Sequence, residues 1–442
     1  MRGRGEIHSI GLTDLERVHE LPPPAGTLDA TIDLAAVQRR TLRLLFATQI
    51  ISGVGVAIGG SVGALLAAEL AGVGLSGLAQ SASVIGAAIL AVPATEIVRR
   101  RGRRPSLAAT YLVAAAGAIV VTMAAVQGSI PLLFAGFFLF GGGTAAGLQA
   151  RYAAVDLAPT TLRGRHLSVI VWATTLGAVV GPNLAAFAGA SLDDYGVPTL
   201  AGPYVFSALL FGLAALVLIL LLRPDPAVLA RRTDAGSTGS AARGKQVGMR
   251  AASRVIASHP PARLGVSAMA VGRLVMVGVM AMTPVHIRSA GHDAAHTLRI
   301  VGVVLSLHIA GMFAFSPVIG WLTDRFGRYR VIFAGIVLLV AACALTGTAG
   351  HDARRLAIGL TVLGAGWSCT MVAGSTLLSE SVSADVRASA QGLSDVTMGL
   401  AGASAGALSG VVLHAWGYPM LALVAAIAAT PVIPLLAHRL RA

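Results

Sequence analysis

The stretch GWLTDRFGRYR (Gly320–Arg330) and its echo TEIVRRRGRRP (Thr95–Pro105) decide how this sequence folds. Each follows an apolar run of membrane-spanning length and gathers arginines around one glycine. Aligning Gly327 on Gly102 superposes Arg328 on Arg103. A second pair of segments, VDLAPTTLRGRHLS (155–168) and SESVSADVRASAQG (379–392), stands in the same relation two apolar runs further on. The chain is therefore an internal repeat of apolar segments joined by basic turns. Such repetition marks membrane carriers whose cargo site lies at the midplane between repeats.

Working outward from these loops, spanning-length apolar stretches fall at 44–70, 75–98, 105–127, 130–155, 166–190 and 201–222. A second set falls at 263–288, 298–321, 329–349, 354–379, 387–413 and 417–437. The expected fold is an all-α integral membrane protein of twelve spans in two six-helix bundles, 44–222 and 263–437. Residues 1–43 read as a cytosolic tail without a signal-peptide core, 223–262 as a central cytosolic loop, and 438–442 as a cytosolic C-terminus. Within the loop, Val247 to Ser258 suits either a basic amphipathic helix or a disordered linker.

Composition agrees with a membrane chain. Of 442 residues, 55% are hydrophobic and only 12% are charged, against about a quarter charged in soluble proteins. A soluble enzyme and a disordered or fibrous chain are both excluded. The net charge of +14 comes from 33 Lys+Arg, of which only Lys245 is a lysine. Because these residues border apolar runs, they point to lipid head groups and topology, and no nucleic-acid partner is expected. With both termini inside, 27 basic residues fall on the cytosolic side and only Arg288, Arg299, Arg354 and Arg355 on the other. The positive-inside rule thus predicts both termini in the cytosol of a cytoplasmic membrane. Cys343 and Cys369 lie inside apolar runs, so no disulfide framework is expected. No catalytic triad or phosphate-binding loop appears, and FGGGTAAG (140–147) reads as close helix packing. The chain is not expected to be an enzyme.

The loop Gly320, Asp324, Arg325, Gly327, Arg328 resembles the signature of the major facilitator superfamily. GAVVGPNLA (177–185), with Gly177, Gly181 and Pro182, is similar to that family's span-five element. The resemblance covers almost the whole chain after the N-terminal tail and implies alternating access by two rocking bundles. Physically, Asp324 is expected to accept hydrogen bonds from a neighbouring helix N-terminus while the arginines anchor at head groups. Gly177 and Gly181, one turn apart, permit close packing, and Pro182 favours a kink. The first-half loop departs from the signature, with Thr95 and Arg99 in place of a glycine and an aspartate.

The most specific chemistry lies in spans seven and eight, where Met276-x-x-x-Met280 and His308-x-x-x-Met312 each occupy one helix face. At 1.5 Å per residue Met276 and His308 sit about 20 Å from the cytosolic ends, with Met280 and Met312 a few ångströms to either side. Thioethers and imidazole suit Cu(I) far better than hard cations. Packing is the alternative for such methionines, and an organic solute lying against the same residues is another. The pairs and their surroundings resemble the CcoA-type copper-importer branch, which also includes riboflavin-transporter-like members. That resemblance gives Met276, Met280, His308 and Met312 metal-ligand roles, with copper as cargo and no resident cofactor. His286 is a candidate for capture near the outer end of span seven, whereas Met282 and Cys369 are expected to pack.

Charges within spans are expensive and therefore functional candidates. Asp395 reads as a proton carrier or as the partner of Arg273 or Arg151 in an ion pair. Glu96 and Glu380, at span ends, are expected to reach the interface. The expected partners are a small solute or metal ion and the lipid bilayer, with no obligate protein partner.

Overall fold

The computed structural model describes residues 33–159, 162–236, 249–434 and 436. Most of the expected tail, positions 237–248 of the central loop and the C-terminal 438–442 lie outside the described residues, as do the side chains of Arg163 and Arg165. All regular structure among the described residues is helical.

Spans one to six are Leu34–Ala71, Val73–Arg101, Arg103–Gln127, Ile130–Ala153, Arg163–Ala190 and Gly202–Leu221. Spans seven to ten are Pro260–Arg288, Ala294–Phe326, Arg328–Gly347 and Ala353–Ser381. The last apolar stretch, Ser389–Pro434, holds 46 residues, roughly 69 Å of helix and twice a bilayer core. It breaks at Gly417, whose φ of 79° and ψ of 175° only glycine adopts freely, two residues before Pro419. It therefore makes two crossings, and the fold has the twelve spans the sequence leads one to expect.

Two boundaries differ from hydropathy. Span one begins at Leu34 because Asp33 caps it, accepting from the backbone N–H of Ala35 (2.8 Å) and Ala36 (3.1 Å). Its first turns carry Arg39, Arg40 and Arg43, which keep them polar and hide them from a hydropathy window. In the central loop, Pro226–Gly236 and Met249–Ser258 are helices. The second lies against the C-terminal bundle, burying Ala252 and Ile256 beside Met269 and Val386 and exposing Arg250 and Arg254.

Each bundle has its own core. The first is aromatic at its centre, with Phe140 edge-on to both Tyr204 and Phe211 at 5.5 Å between centroids. The second is aliphatic and sulfur-rich and includes Met276, Met282 and Met312. Gly177 and Gly181 face span one: a Cβ there would lie 2.6 Å from the Ile50 carbonyl and 2.6 Å from Ala57 Cβ respectively. Their role is the close packing expected of them. Span five runs through Pro182 as one helix.

Candidate functional site

The basic loops form one face of the molecule, the arginine-rich face, opposite the far face. The bundles meet through their far halves. Ser76 Oγ donates to Met282 Sδ (3.3 Å) and Ser81 Oγ to the Ala403 carbonyl (2.6 Å). Between spans five and eight, Asn183 Nδ2 donates to Ser306 Oγ (2.6 Å), which donates to the Val179 carbonyl (2.7 Å). A Cβ on Gly302 would stand 2.9 Å from the Pro182 carbonyl oxygen. On span eleven, Gly406 and Gly410 pack against Gly77 of span two, whereas a Cβ on Gly399 or Gly392 would meet nothing within 4 Å. The bundles are thus closed at the far face and part toward the arginine-rich face. Among the far contacts lies a cavity of about 40 Å³ lined by Gly60, Gln80, Ser83, Tyr204, Met280 and Leu305. That is room for roughly three waters.

The repeat loops keep the bundles' arginine-rich ends in shape. Arg103 Nε and Nη2 grip Asp156 at 2.8 and 3.1 Å, and Nη1 donates to Gln149 Oε1 at 2.9 Å. The equivalent Arg328 grips Glu380 at 2.9 and 2.5 Å. Asp156 and Glu380 hold the same place in the two aligned segments 155–168 and 379–392. Asp324 does not play the part expected of it. Its side chain is 79% exposed and only approaches Arg328 at 3.8 Å, so it caps no neighbouring helix. The capping carboxylate is Asp225, which the sequence reading passed over. It accepts from the backbone N–H of Arg103 (3.1 Å) and Arg104 (2.7 Å) at the start of span three. Its only local signal was the helix-starting string RPDPAV, whose Ala227 and Val228 N–H groups it also binds; the span-three groups it caps are 122 and 121 positions away. Gly320 is half-buried and Arg325 is exposed. Gly102 and Gly327 turn the chain at φ of 102° and 87°. Glu96 is gripped by Arg99 and Arg100 of its own helix.

The four soft donors lie in or against the core of the second bundle. Met276 and Met312 are buried in its core and Met280 packs against that core while lining the cavity. His308 is fully buried. Its Nδ1 stands 2.7 Å from the Leu360 carbonyl, which can only accept, so Nδ1 carries the proton. The other ring nitrogen, Nε2, is buried with its lone pair free and has no partner among the described residues. A ligand histidine has this arrangement, since the bond at one nitrogen fixes the tautomer and aims the other. The Trp367 indole Nε1 is likewise buried without an acceptor, a site that no pattern in the sequence had flagged. By contrast, Gln49 in the first bundle is engaged by Tyr111 Oη (2.9 Å) and Thr174 Oγ1 (3.0 Å). His286 is also occupied: Nε2 bonds the Gly350 carbonyl at 2.7 Å and the ring stacks on Tyr418. Cys369 packs against Gly335, and both cysteines are free thiols.

The span charges do not form the expected ion pair. Asp395, in the open part of span eleven, is within electrostatic reach of Arg151, yet among the described residues no ion pair joins it to Arg151 or Arg273. Arg151 Nε is buried with no partner among the described residues. Arg273 lies against Gly402, one turn below Gly406 on span eleven.

Comparison with known proteins follows the same outline. The family model described as "Major Facilitator Superfamily" matches residues 44–299 and 291–441. The chain is 38% identical over 401 residues to the uncharacterized MFS-type transporter YdeG of Bacillus subtilis (strain 168), covering 90% of this chain and 91% of the relative. It is 28% identical over 414 residues to the riboflavin transporter RfnT of Brucella anthropi, covering 91% and 96%. Among solved structures, the nucleoside transporter NupG superposes with a TM-score of 0.71 at 15% identity, over 90% of this chain and 98% of that one.

Proposed function

The chain belongs to the major facilitator superfamily, and from that premise we propose a specific cargo and direction of opening for this multi-pass secondary transporter. The cargo is Cu(I), bound near mid-depth by Met276, Met280, His308 and Met312. The membrane is the cytoplasmic one, and the arginine-rich face is cytosolic, since the sequence assigns 27 of the 33 basic residues to that side. The conformation with closed far halves is then the inward-open one. Alternating access proceeds by parting the far contacts of spans two, five, eight and eleven while the arginine-rich ends close.

The observation that carries the copper reading is the fully buried His308, whose Nε2 has no partner while Nδ1 is locked to a backbone carbonyl. Nothing need be deprotonated for such a nitrogen to bind, and neutral thioethers bring no charge that would hold the ion too firmly for release. In cells lacking the gene, wild-type protein restores copper accumulation. His308→Ala and Met276→Ala abolish it while membrane abundance is unchanged. Accumulation that survives both substitutions refutes copper as the cargo.

A second reading, a riboflavin-like solute, is favoured by the relative named as a riboflavin transporter. A cavity of about 40 Å³ holds no three-ring molecule, so such a cargo occupies the wider gap on the arginine-rich side. Flavin uptake that persists in His308→Ala supports this reading over the first.

A further inference from the structure

Arg273 stands thirteen residues into span seven, roughly 20 Å from its arginine-rich end and near the middle of the bilayer. Among the described residues it makes neither a hydrogen bond nor an ion pair. A guanidinium at this depth is expensive and is ordinarily paired. Here Gly402 leaves room for it, since a Cβ at that position would lie 3.3 Å from Arg273 Nε. Gly402 is where span eleven leaves its contact with span two, so the guanidinium sits at the edge of the gap between bundles. Asp395 is the carboxylate in that part of span eleven, and Arg151 already stands within its electrostatic reach. Among the described residues nothing pairs with Arg273, so its charge at the edge of the gap stands uncompensated.

The second bundle has another donor waiting for an acceptor. Trp367 Nε1 is buried without a partner among the described residues, and an indole N–H can only donate. Trp367 lies one turn from Thr370, which packs against Gly272, the neighbour of Arg273. Positive charge and unmet donors oppose a bare cation and call for an acceptor with negative charge. We infer that the cargo carries an oxyanion group, a carboxylate or a phosphate, and that Arg273 binds it. The planar fork of a guanidinium matches either group with two parallel hydrogen bonds. The inference rests on the mid-depth site proposed above and holds for either cargo. Copper enters as the complex of an acidic thiol compound, and an organic solute enters as its acidic form.

Two measurements on the purified protein test this. The first needs no cargo. Arg273→Met removes an uncompensated charge, so the melting temperature of the empty protein rises by roughly 2 °C or more. A fall would mean that Arg273 is a structural residue and would overturn the inference. The second compares matched probes: riboflavin 5′-phosphate against riboflavin, and Cu(I)–glutathione against Cu(I)–acetonitrile. The anionic member of at least one pair stabilises the wild type more than its neutral or cationic counterpart. Arg273→Gln loses that preference, and Arg273→Lys keeps part of it. No preference in either pair, no stabilisation by any probe, or a preference that survives Arg273→Gln contradicts the inference. Because His308→Ala accumulation is measured separately, a failure here leaves the copper reading standing or falling on its own result.

Discussion

Gly302→Ala is the sharpest test of how the far side is closed. The added methyl would stand 2.9 Å from the Pro182 carbonyl oxygen and 3.2 Å from Asn183 Cα. Both are backbone atoms of the opposite bundle, so neither can swing aside as a flexible side chain does. Span five must retreat by several tenths of an ångström, which also stretches the Asn183–Ser306 bond of 2.6 Å. Overpacking of this sort costs about 1–3 kcal/mol. The helix-propensity gain of alanine over glycine is present whether the far side is open or closed, so it cancels in the ratio of the two states. The cost falls only on the far-closed state, and at about 1.4 kcal/mol per factor of ten the far-open population rises roughly fivefold to a hundredfold. The assay is labelling of Ala64→Cys, a cavity-lining position, by an impermeant maleimide applied from outside, in protein whose Cys343 and Cys369 are replaced by alanine. An unchanged labelling rate would refute the reasoning that these spans form the seal.

Two further outcomes follow from the repeat loops. Asp156→Asn takes the carboxylate from Arg103, whose pair is 12% and 17% exposed, and is expected to lower stability by about 3 kcal/mol. Glu380→Gln breaks the more exposed copy and costs under about 1 kcal/mol, so thermal unfolding of the purified variants ranks them in that order. Asp225→Ala removes the acceptor of four backbone N–H groups, at Arg103, Arg104, Ala227 and Val228, and costs about 2 kcal/mol, with only part of the loss recovered by Asp225→Asn, whose amide nitrogen cannot accept. Equal melting temperatures for Asp225→Ala and the wild type would contradict the capping role.

Much of the fold was legible because spanning length, arginine placement and the repeat are one-dimensional signals. Aligning Gly327 on Gly102 put Arg328 on Arg103, and the structure gives both arginines a carboxylate partner. What the sequence obscured was longer in range. Glu380 reads as an interface residue until its partner, 52 positions earlier, is seen. Asp324 looked like the capping carboxylate because it sits inside the motif, yet the cap comes from Asp225, beyond span six. The start of span one at Leu34 was hidden because its first turns are arginine-rich. Of the site, the spacing of the methionines and His308 could be read directly. The free Nε2 could not, since it depends on which nitrogen meets the Leu360 carbonyl. Trp367 and the unpaired state of Arg273 were likewise invisible, because they are facts about missing neighbours.

The most direct test of the account is X-ray absorption at the copper edge on purified protein loaded with Cu(I). The account predicts a bound ion surrounded by sulfur with one imidazole nitrogen, the nitrogen signal vanishing in His308→Ala and sulfur diminishing in Met276→Ala. Copper that fails to bind, or a coordination shell of oxygen and nitrogen indifferent to both substitutions, would contradict it.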